Sequence, residues 1–329
     1  MNSTKFKNLL LVGFLTVLTF VTILGCGGKK DSTTDGASGK LEGTISLSGA
    51  FALYPLANKW AEEFNKTYPD VRFNISAGGA GKGMADALAG AVDLGMISRE
   101  IKDEEKAKGA WPVAVTKDAV IPTISSSNPV LAALKEKGLT KEEFRKIFIT
   151  AELKTWGQAI ETSAPEKINV YSRSDASGAA ATWAQYLGGK EQDELKGIGV
   201  FGDPGLADAV KKDFNGIGFN NVIYVFDINS KAKYPGIEVL PIDVNGDNKI
   251  TAEEQFYGDM NQLVAAIGDG RYPSPPAREL YFVSKGKPQS EAVKIFLSWV
   301  LNEGQKFVIE TGYIQLPADR LKTEVEKLK

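Results

Sequence analysis

Apolar positions fall along this chain in a repeating strand-then-helix rhythm. Thr44–Ser48 alternates as a half-buried strand does. Tyr54–Thr67 places Leu56, Trp60 and Phe64 on one helical face. Val71–Ser76 predicts a second strand, Met84–Ala89 a second helix and Val92–Ile97 a short apolar strand. This β-α-β-α-β order predicts an α/β protein with a mainly parallel sheet and helices on its faces. Val113–Ile124 is an apolar run too long for one ordinary strand, and it stops at Ser125-Ser126-Ser127-Asn128-Pro129, a loop signal. It predicts a crossover into a second lobe. Helices are predicted there near Leu131–Lys137, Lys141–Ile147, Ala179–Leu187, Glu191–Leu195 and Gly205–Asp213. The predicted strands are Lys167–Tyr171, Gly216–Asn220, Val222–Phe226 and Glu238–Ile242. Tyr272-Pro273-Ser274-Pro275-Pro276 is a second breaker, after which a strand (Leu280–Val283) and a helix (Ser290–Glu303) return to the first lobe. The expected boundaries are 41–124 with 278–317 for lobe one, 125–277 for lobe two, and a charged tail with weak helical pattern at 318–329.

Three glycine-rich turns run straight into helical patterns: Ser48-Gly49-Ala50-Phe51-Ala52, Gly78-Gly79-Ala80-Gly81-Lys82-Gly83 and Arg173-Ser174-Asp175-Ala176-Ser177-Gly178. A helix start presents unpaired N–H groups and a positive dipole end, so it attracts anions. Any one such turn is also an ordinary strand-to-helix connection. A phosphate-binding P-loop is excluded at Gly81-Lys82, because Ser76 stands where the first glycine belongs and Gly83 where Ser or Thr belongs. In sheets of this kind ligands bind beyond the carboxyl ends of the strands, which is where these turns lie.

Of 329 residues, 43% are apolar and 24% charged, a globular balance. The formal charge of −2 becomes −4 once Lys5 and Lys7 leave with the leader. That argues against nucleic acid as a partner. Met1–Gly25 reads as a secretory signal, with two lysines before the apolar run Leu9–Leu24. The run ends in Ile23-Leu24-Gly25-Cys26, which resembles the lipobox of bacterial lipoproteins. The resemblance implies that Cys26 is acylated and becomes the mature N-terminus. Cys26 is the only cysteine, so an intrachain disulfide is impossible. Residues 26–40 read as a polar, flexible tether.

Several longer segments carry a family resemblance. They are Tyr54-Pro55-Leu56-Ala57-Asn58-Lys59-Trp60, Val92-Asp93-Leu94-Gly95-Met96-Ile97-Ser98-Arg99-Glu100, Asn215-Gly216-Ile217-Gly218-Phe219, Gly304-Gln305-Lys306-Phe307 and Thr311-Gly312-Tyr313-Ile314-Gln315-Leu316. From about Gly43 to Pro317 the chain resembles the periplasmic phosphate-binding component of phosphate ABC transporters. The resemblance implies a type II periplasmic-binding-protein fold: two α/β lobes joined by two crossovers and closing on a dehydrated anion. It implies an extracytoplasmic monomer that delivers phosphate to an ABC permease. The alternative is a surface lipoprotein that senses a ligand or binds another protein.

By the same resemblance Arg173 pairs with the anion, Asp175 holds the guanidinium, Ser177 donates its hydroxyl, and Gly178 and Ala179 donate amides. An arginine fork suits tetrahedral oxyanions; a surface Arg–Asp pair is the plainer reading. Facing them are expected the amides around Ala50, Phe51, Ala80 and Gly81, with Ser98 as a further donor. Ala50 and Phe51 stand where the family usually has a hydroxyl-bearing pair, Ala80 where it has Ser, and Lys82 and Ala179 where Thr is common. Ser98 stands where several members place an Asp. Lys82 either enters the cleft or is a solvated helix-start lysine.

Asp243-Val244-Asn245-Gly246-Asp247-Asn248-Lys249-Ile250-Thr251-Ala252-Glu253-Glu254 spaces oxygen-bearing side chains as an EF-hand loop does. A calcium ion there would take Asp243, Asn245, Asp247, the Lys249 carbonyl, Thr251 and Glu254. A strand before and a helix after are expected. A polar turn capped by Thr251 and Glu254 is the other reading. Catalysis has little support, and an enzyme on this fold is a distant third reading: the chain has no His and no Gly-x-Ser-x-Gly elbow.

Overall fold

The computed structural model describes residues Leu41–Lys329. The leader, the tether and Cys26 lie outside them. The elements run β1 (Gly43–Gly49), α1 (Tyr54–Asn65), β2 (Val71–Ala77), α2 (Ala80–Ala89), β3 (Leu94–Ile97), α3 (Asp103–Ala107) and β4 (Ala110–Ser125). Then follow α4 (Leu131–Lys137), β5 (Leu139–Thr140), α5 (Lys141–Phe148), α6 (Trp156–Ala159), β6 (Asn169–Arg173), α7 (Gly178–Tyr186), β7 (Ile198–Val200), α8 (Gly202–Lys212) and β8 (Gly216–Asn221). The chain ends with β9 (Ile237–Val239), β10 (Ile242–Asp243), α9 (Met260–Asp269), β11 (Ala277–Lys285), α10 (Glu291–Leu301) and α11 (Ala318–Leu328).

One sheet runs through the molecule in the order β2-β1-β3-β11-β4-β8-β6-β7, with β9 also on β4. Its flanks are parallel, β1 with β2 and β3, and β6 with β7 and β8. Its middle is antiparallel, because β11 returns between β3 and β4. The sheet is therefore mixed rather than mainly parallel. Two hydrophobic cores hang on it. The first gathers Leu47, Trp60, Phe64, Met96, Phe282 and Phe296. The second gathers Phe144, Phe148, Trp183, Phe219, Phe226 and Tyr272. The 16-residue β4 feeds both, giving Val113 and Val115 to the first and Ala119–Ile121 to the second. The apolar run read as a crossover is thus one strand shared by two lobes.

Three local expectations differ. Val222–Tyr224 is a 3-10 turn rather than a strand, closed by bonds from the Val225 and Phe226 amides to the Val222 carbonyl. Gln192–Glu194 is likewise a 3-10 turn. Glu238–Ile242 divides into β9 and β10. The tail is a full helix, α11, because Leu321, Val325 and Leu328 recur on one face and pack on the first core.

Candidate functional site

Strand β6 delivers Arg173 at its carboxyl end, and the loop to α7 carries Asp175 and Ser177. The Arg173 side chain is 1% exposed. Its Nε donates to Asp175 Oδ1 at 2.8 Å and its Nη2 to Asp175 Oδ2 at 2.6 Å, a two-point fork. Its Nη1 donates to a second carboxylate, Asp203, from the first turn of α8. The Gly202 amide donates to Asp175 Oδ1 at 3.0 Å. Asp203 is fixed by Asn221 Nδ2 at 2.6 Å. The Phe51 ring lies over the guanidinium, 5.4 Å from its carbon, and Phe201 meets that ring edge-on at 5.8 Å. Burial pulls the Arg173 pKa down, but the Asp203 and Asp175 carboxylates outweigh it, so the group is held more firmly charged than a free arginine.

The charges continue inward. Asn221 Oδ1 accepts from Arg278 Nη2, and Arg278 Nε stands 3.2 Å from Asp118 Oδ1. Asp118 and Arg278 are register partners on β4 and β11, the two strands that join the lobes. Arg278 Nε and Nη1 and Asp118 Oδ1 find no aligned hydrogen-bond partner. Burial pushes Asp118 up to about 6, against the pull of Arg278. Burial likewise lowers Arg278, against the raising effect of Asp118 and Asp203.

Helix α7 starts in the cleft. Ser177 caps it, accepting from the Ala180 amide at 3.2 Å, and the Ser177 amide donates to Gln192 Oε1 at 2.8 Å. Gly178 and Ala179 hold the first two helical positions, whose amides helical bonding leaves unpaired. The first lobe presses on this end. The Gly81 amide donates to the Ala176 carbonyl at 2.9 Å. Buried Ser98 packs against Gly178: a β-carbon on Gly178 would fall onto the Ser98 hydroxyl and 2.6 Å from its carbonyl oxygen. Gly79, at φ +92°, leaves no room for a β-carbon either, which would stand 2.7 Å from Asp175 Oδ2. Tyr224, in the turn after β8, packs on the first core and donates to the Phe51 carbonyl at 2.9 Å, and across the cleft Lys102 pairs with Glu191 at 2.8 Å. The lobes are closed. At the mouth lies a groove of about 640 Å3, lined by Gly81, Arg99, Lys102, Ser177, Glu191 and Gln192 among others.

The structure therefore brings Phe51, Gly81, Ser98, Arg173, Asp175, Ser177, Gly178 and Ala179 together, with buried Ala80 at the start of α2. Two residues stand differently. The Ala50 amide donates to the Met96 carbonyl at 2.8 Å, so the sheet uses that donor and the cleft does not. Lys82 is half exposed and pairs with Asp86, one turn on; Ser48 Oγ also donates to Asp86, at 2.6 Å. Asp203, Asn221, Arg278 and Asp118 were not read from the sequence. Their signals were faint: a Gly202-Asp203-Pro204-Gly205 turn between strand and helix, and single charges in apolar strands.

In the loop 243–254, Asp243 accepts from the Gly246 amide at 2.7 Å and the Asn248 amide at 2.9 Å. Glu254 accepts from the Val244 amide at 2.8 Å and the Thr251 hydroxyl at 2.8 Å. Asn245 accepts from the Asp247 amide at 2.9 Å, and Asp247 from the Lys249 amide at 3.0 Å. The segment that follows is a turn; the next helix, α9, begins only at Met260. Among the described residues no group of three or more His, Cys, Asp or Glu side chains stands close enough to hold a metal ion. None of their helices is long and apolar enough to cross a membrane.

Two α/β lobes on a shared sheet, closed over a buried arginine at a helix start, define a two-lobed solute-binding fold. A family model described as a PBP superfamily domain matches residues 34–303. The phosphate-binding protein PstS of Bacillus subtilis is 31% identical over 317 residues, which cover 94% of each chain. PstS of Methanocaldococcus jannaschii is 27% identical over 363 residues, covering 94% of this chain and 92% of that one. The chain belongs to the PBP superfamily and, within it, to the PstS family of phosphate-binding proteins. Solved structures agree on the fold. A phosphate ABC transporter substrate-binding protein from Clostridium perfringens matches with a TM-score of 0.67 at 24% identity, covering 84% of this chain and 100% of that one. An ABC-type phosphate transport receptor from Vibrio cholerae matches at 0.60 with 19% identity, covering 83% and 100%.

Proposed function

We propose that this chain captures an inorganic oxyanion, phosphate, outside the cytoplasm and hands it to an ABC permease, tethered to the membrane through an acylated Cys26. It acts by binding and carries out no chemistry on its ligand. The observation that carries the reading is the buried Arg173–Asp175 fork at the start of α7, closed over by the first lobe through Phe51, Gly81 and Ser98. The relatives named as phosphate-binding proteins support it. Closure excludes water, which strengthens every hydrogen bond offered to a bound anion.

The test is mass spectrometry of the native protein, which reads both a retained ligand and the acyl mass on Cys26. Calorimetry against phosphate, sulfate, arsenate and small carboxylates follows. Removing one side of a buried, hydrogen-bonded charge pair costs on the order of 2–5 kcal/mol, so Arg173→Ala should weaken phosphate binding by roughly a hundredfold or more. If ligand-stripped wild type binds no oxyanion, the transport reading falls and a ligand-sensing or protein-binding surface lipoprotein replaces it.

A structural calcium ion in the 243–254 loop is part of the same reading. Its support is the spacing of Asp243, Asn245, Asp247, Lys249, Thr251 and Glu254, with Asn248 at a φ of 63° in the sixth position. Against it stand the loop amides that already bond Asp243 and Glu254.

A further inference from the structure

Strands β4 and β11 join the lobes, and their pairing is irregular beside the place where they pass from one core to the other. Leu280 stands opposite Thr116 but Tyr281 stands opposite Ala114, so Val115 has no partner on β11. An extra residue of this kind bends the strand that holds it. Val115 is the last residue that β4 gives to the first core, and Ala119 the first that it gives to the second. On β11, Ala277 belongs to the second core and Leu280 to the first. The passage therefore falls at Thr116–Asp118 on one strand and at Arg278–Glu279 on the other. Helix α11 straps this point. Its apolar face rides on the first core, yet Arg320 reaches Glu279 with two bonds, Nε to Oε1 at 3.0 Å and Nη2 to Oε2 at 2.9 Å. The Tyr281 hydroxyl donates to the same Oε2 at 2.9 Å. Arg320 is itself aimed by Glu324, whose side chain is fully buried and also pairs with Lys327 at 2.7 Å. Burial pushes the Glu279 pKa up, but the hydrogen bonds from Arg320 and Tyr281 outweigh it, so the carboxylate is held charged.

We propose that Arg320 is a positioning residue for ligand capture: its fork on Glu279 clamps the bulged crossover in the closed geometry and so sets the balance between closed and open lobes. This rests on the anion-capture reading, in which the lobes must part to admit a ligand. Parting them bends β4 and β11 at the passage between the cores, and Glu279 then moves against a helix fixed to the first lobe. A fork is sensitive to such a shift, because both of its bonds need the guanidinium and carboxylate planes aligned. The ligand binds the closed form, so its apparent dissociation constant rises as the closed fraction falls. The Arg320 and Glu279 side chains are 30% and 27% exposed, which screens the pair in part, and its loss is worth roughly 3- to 10-fold in affinity.

The test is calorimetry of the ligand-stripped full chain with inorganic phosphate, joined to X-ray scattering of the ligand-free proteins. Arg320→Met and Glu279→Gln are each expected to weaken phosphate binding by roughly 3- to 10-fold, and the double variant by no more than the worse of the two. The two substitutions change the net charge in opposite directions, so a common loss is not a long-range charge effect. Val325→Ala thins the packing of α11 and keeps the fork; it is expected to melt earlier and to bind phosphate as wild type does. Wild-type affinity in either single variant, or equal weakening in Val325→Ala, overturns the clamp and leaves the capture reading standing. So does a double variant whose loss is the product of the two single losses. Should wild type bind no oxyanion, the capture reading falls and scattering decides on the clamp alone. A ligand-free Arg320→Met protein with a larger radius of gyration than wild type then keeps the clamp, and equal radii overturn it.

Discussion

Gly178 and Lys82 belong to the same cleft motifs but have different duties. Gly178 is where lobe one touches the start of α7, and its missing side chain lets Ser98 come that close. Gly178→Ala inserts a carbon between two backbones. Overpacking of this kind costs about 1–3 kcal/mol, which opening the lobes relieves. The expected result is a larger radius of gyration by X-ray scattering and phosphate binding weakened roughly 5- to 150-fold; identical scattering would contradict the contact. Lys82 pairs with Asp86 on a half-exposed face, where such pairs contribute about 0–1 kcal/mol. Lys82→Thr should leave anion preference unchanged in the same calorimetry, and a switched preference would place Lys82 in the cleft. Arg173, Asp175 and Ser177 were legible in the sequence because one short loop holds all three. Asp203, Asn221, Asp118 and Arg278 were not, because they come from four segments that only the tertiary fold unites.

At the scale of elements, periodicity located most strands and helices, and failed where hydrogen bonds local to a turn decided the matter. Val222–Tyr224 looks like a strand by composition, yet it follows β8 directly and closes on itself, the Val225 and Phe226 amides bonding back to the Val222 carbonyl. In α11 the apolar stripe is only Leu321, Val325 and Leu328, with charges between, and packing on the first core completes it. The loop 243–254 tests a different uncertainty. A ligand that binds only the native state raises stability with its concentration. Millimolar calcium should therefore raise the melting temperature of chelator-stripped protein, and Glu254→Gln should abolish the rise. No change in wild type would leave the loop as a turn capped by Thr251 and Glu254.

Across the whole molecule, the buried charges tie the cleft to the strands that join the lobes. Asp118 is raised to about 6 in the folded state from an ordinary value near 4. Between those values the native protein holds the proton that the unfolded chain has lost. Stability from this group is therefore full at low pH and declines as pH rises through the window from about 4 to about 6. Other carboxylates, among them Glu105 and Glu279, are lowered and slope the other way, so the comparison must be internal. The stability of wild type relative to Asp118→Asn should fall by on the order of 1–3 kcal/mol between pH 4 and pH 7, read from urea midpoints. A flat difference would place the Asp118 ionisation outside that window.

The position of β11 between β3 and β4 also dictates when this chain folds. A ribosome making it would release β1, β2 and β3 early, but their sheet has no inner neighbour until Ala277–Lys285 emerges, near the end of synthesis. Trp60, in the first helix, likewise waits for Gly304, whose carbonyl accepts its indole N–H at 2.8 Å. Passage through a narrow channel would require a polypeptide that has not yet folded, and late closure would keep this one threadable. Nascent chains arrested before Ala277 should accordingly stay protease-sensitive throughout residues 41–124, while full-length chains should not; protection of the arrested chains would show that the first lobe closes without its central strand.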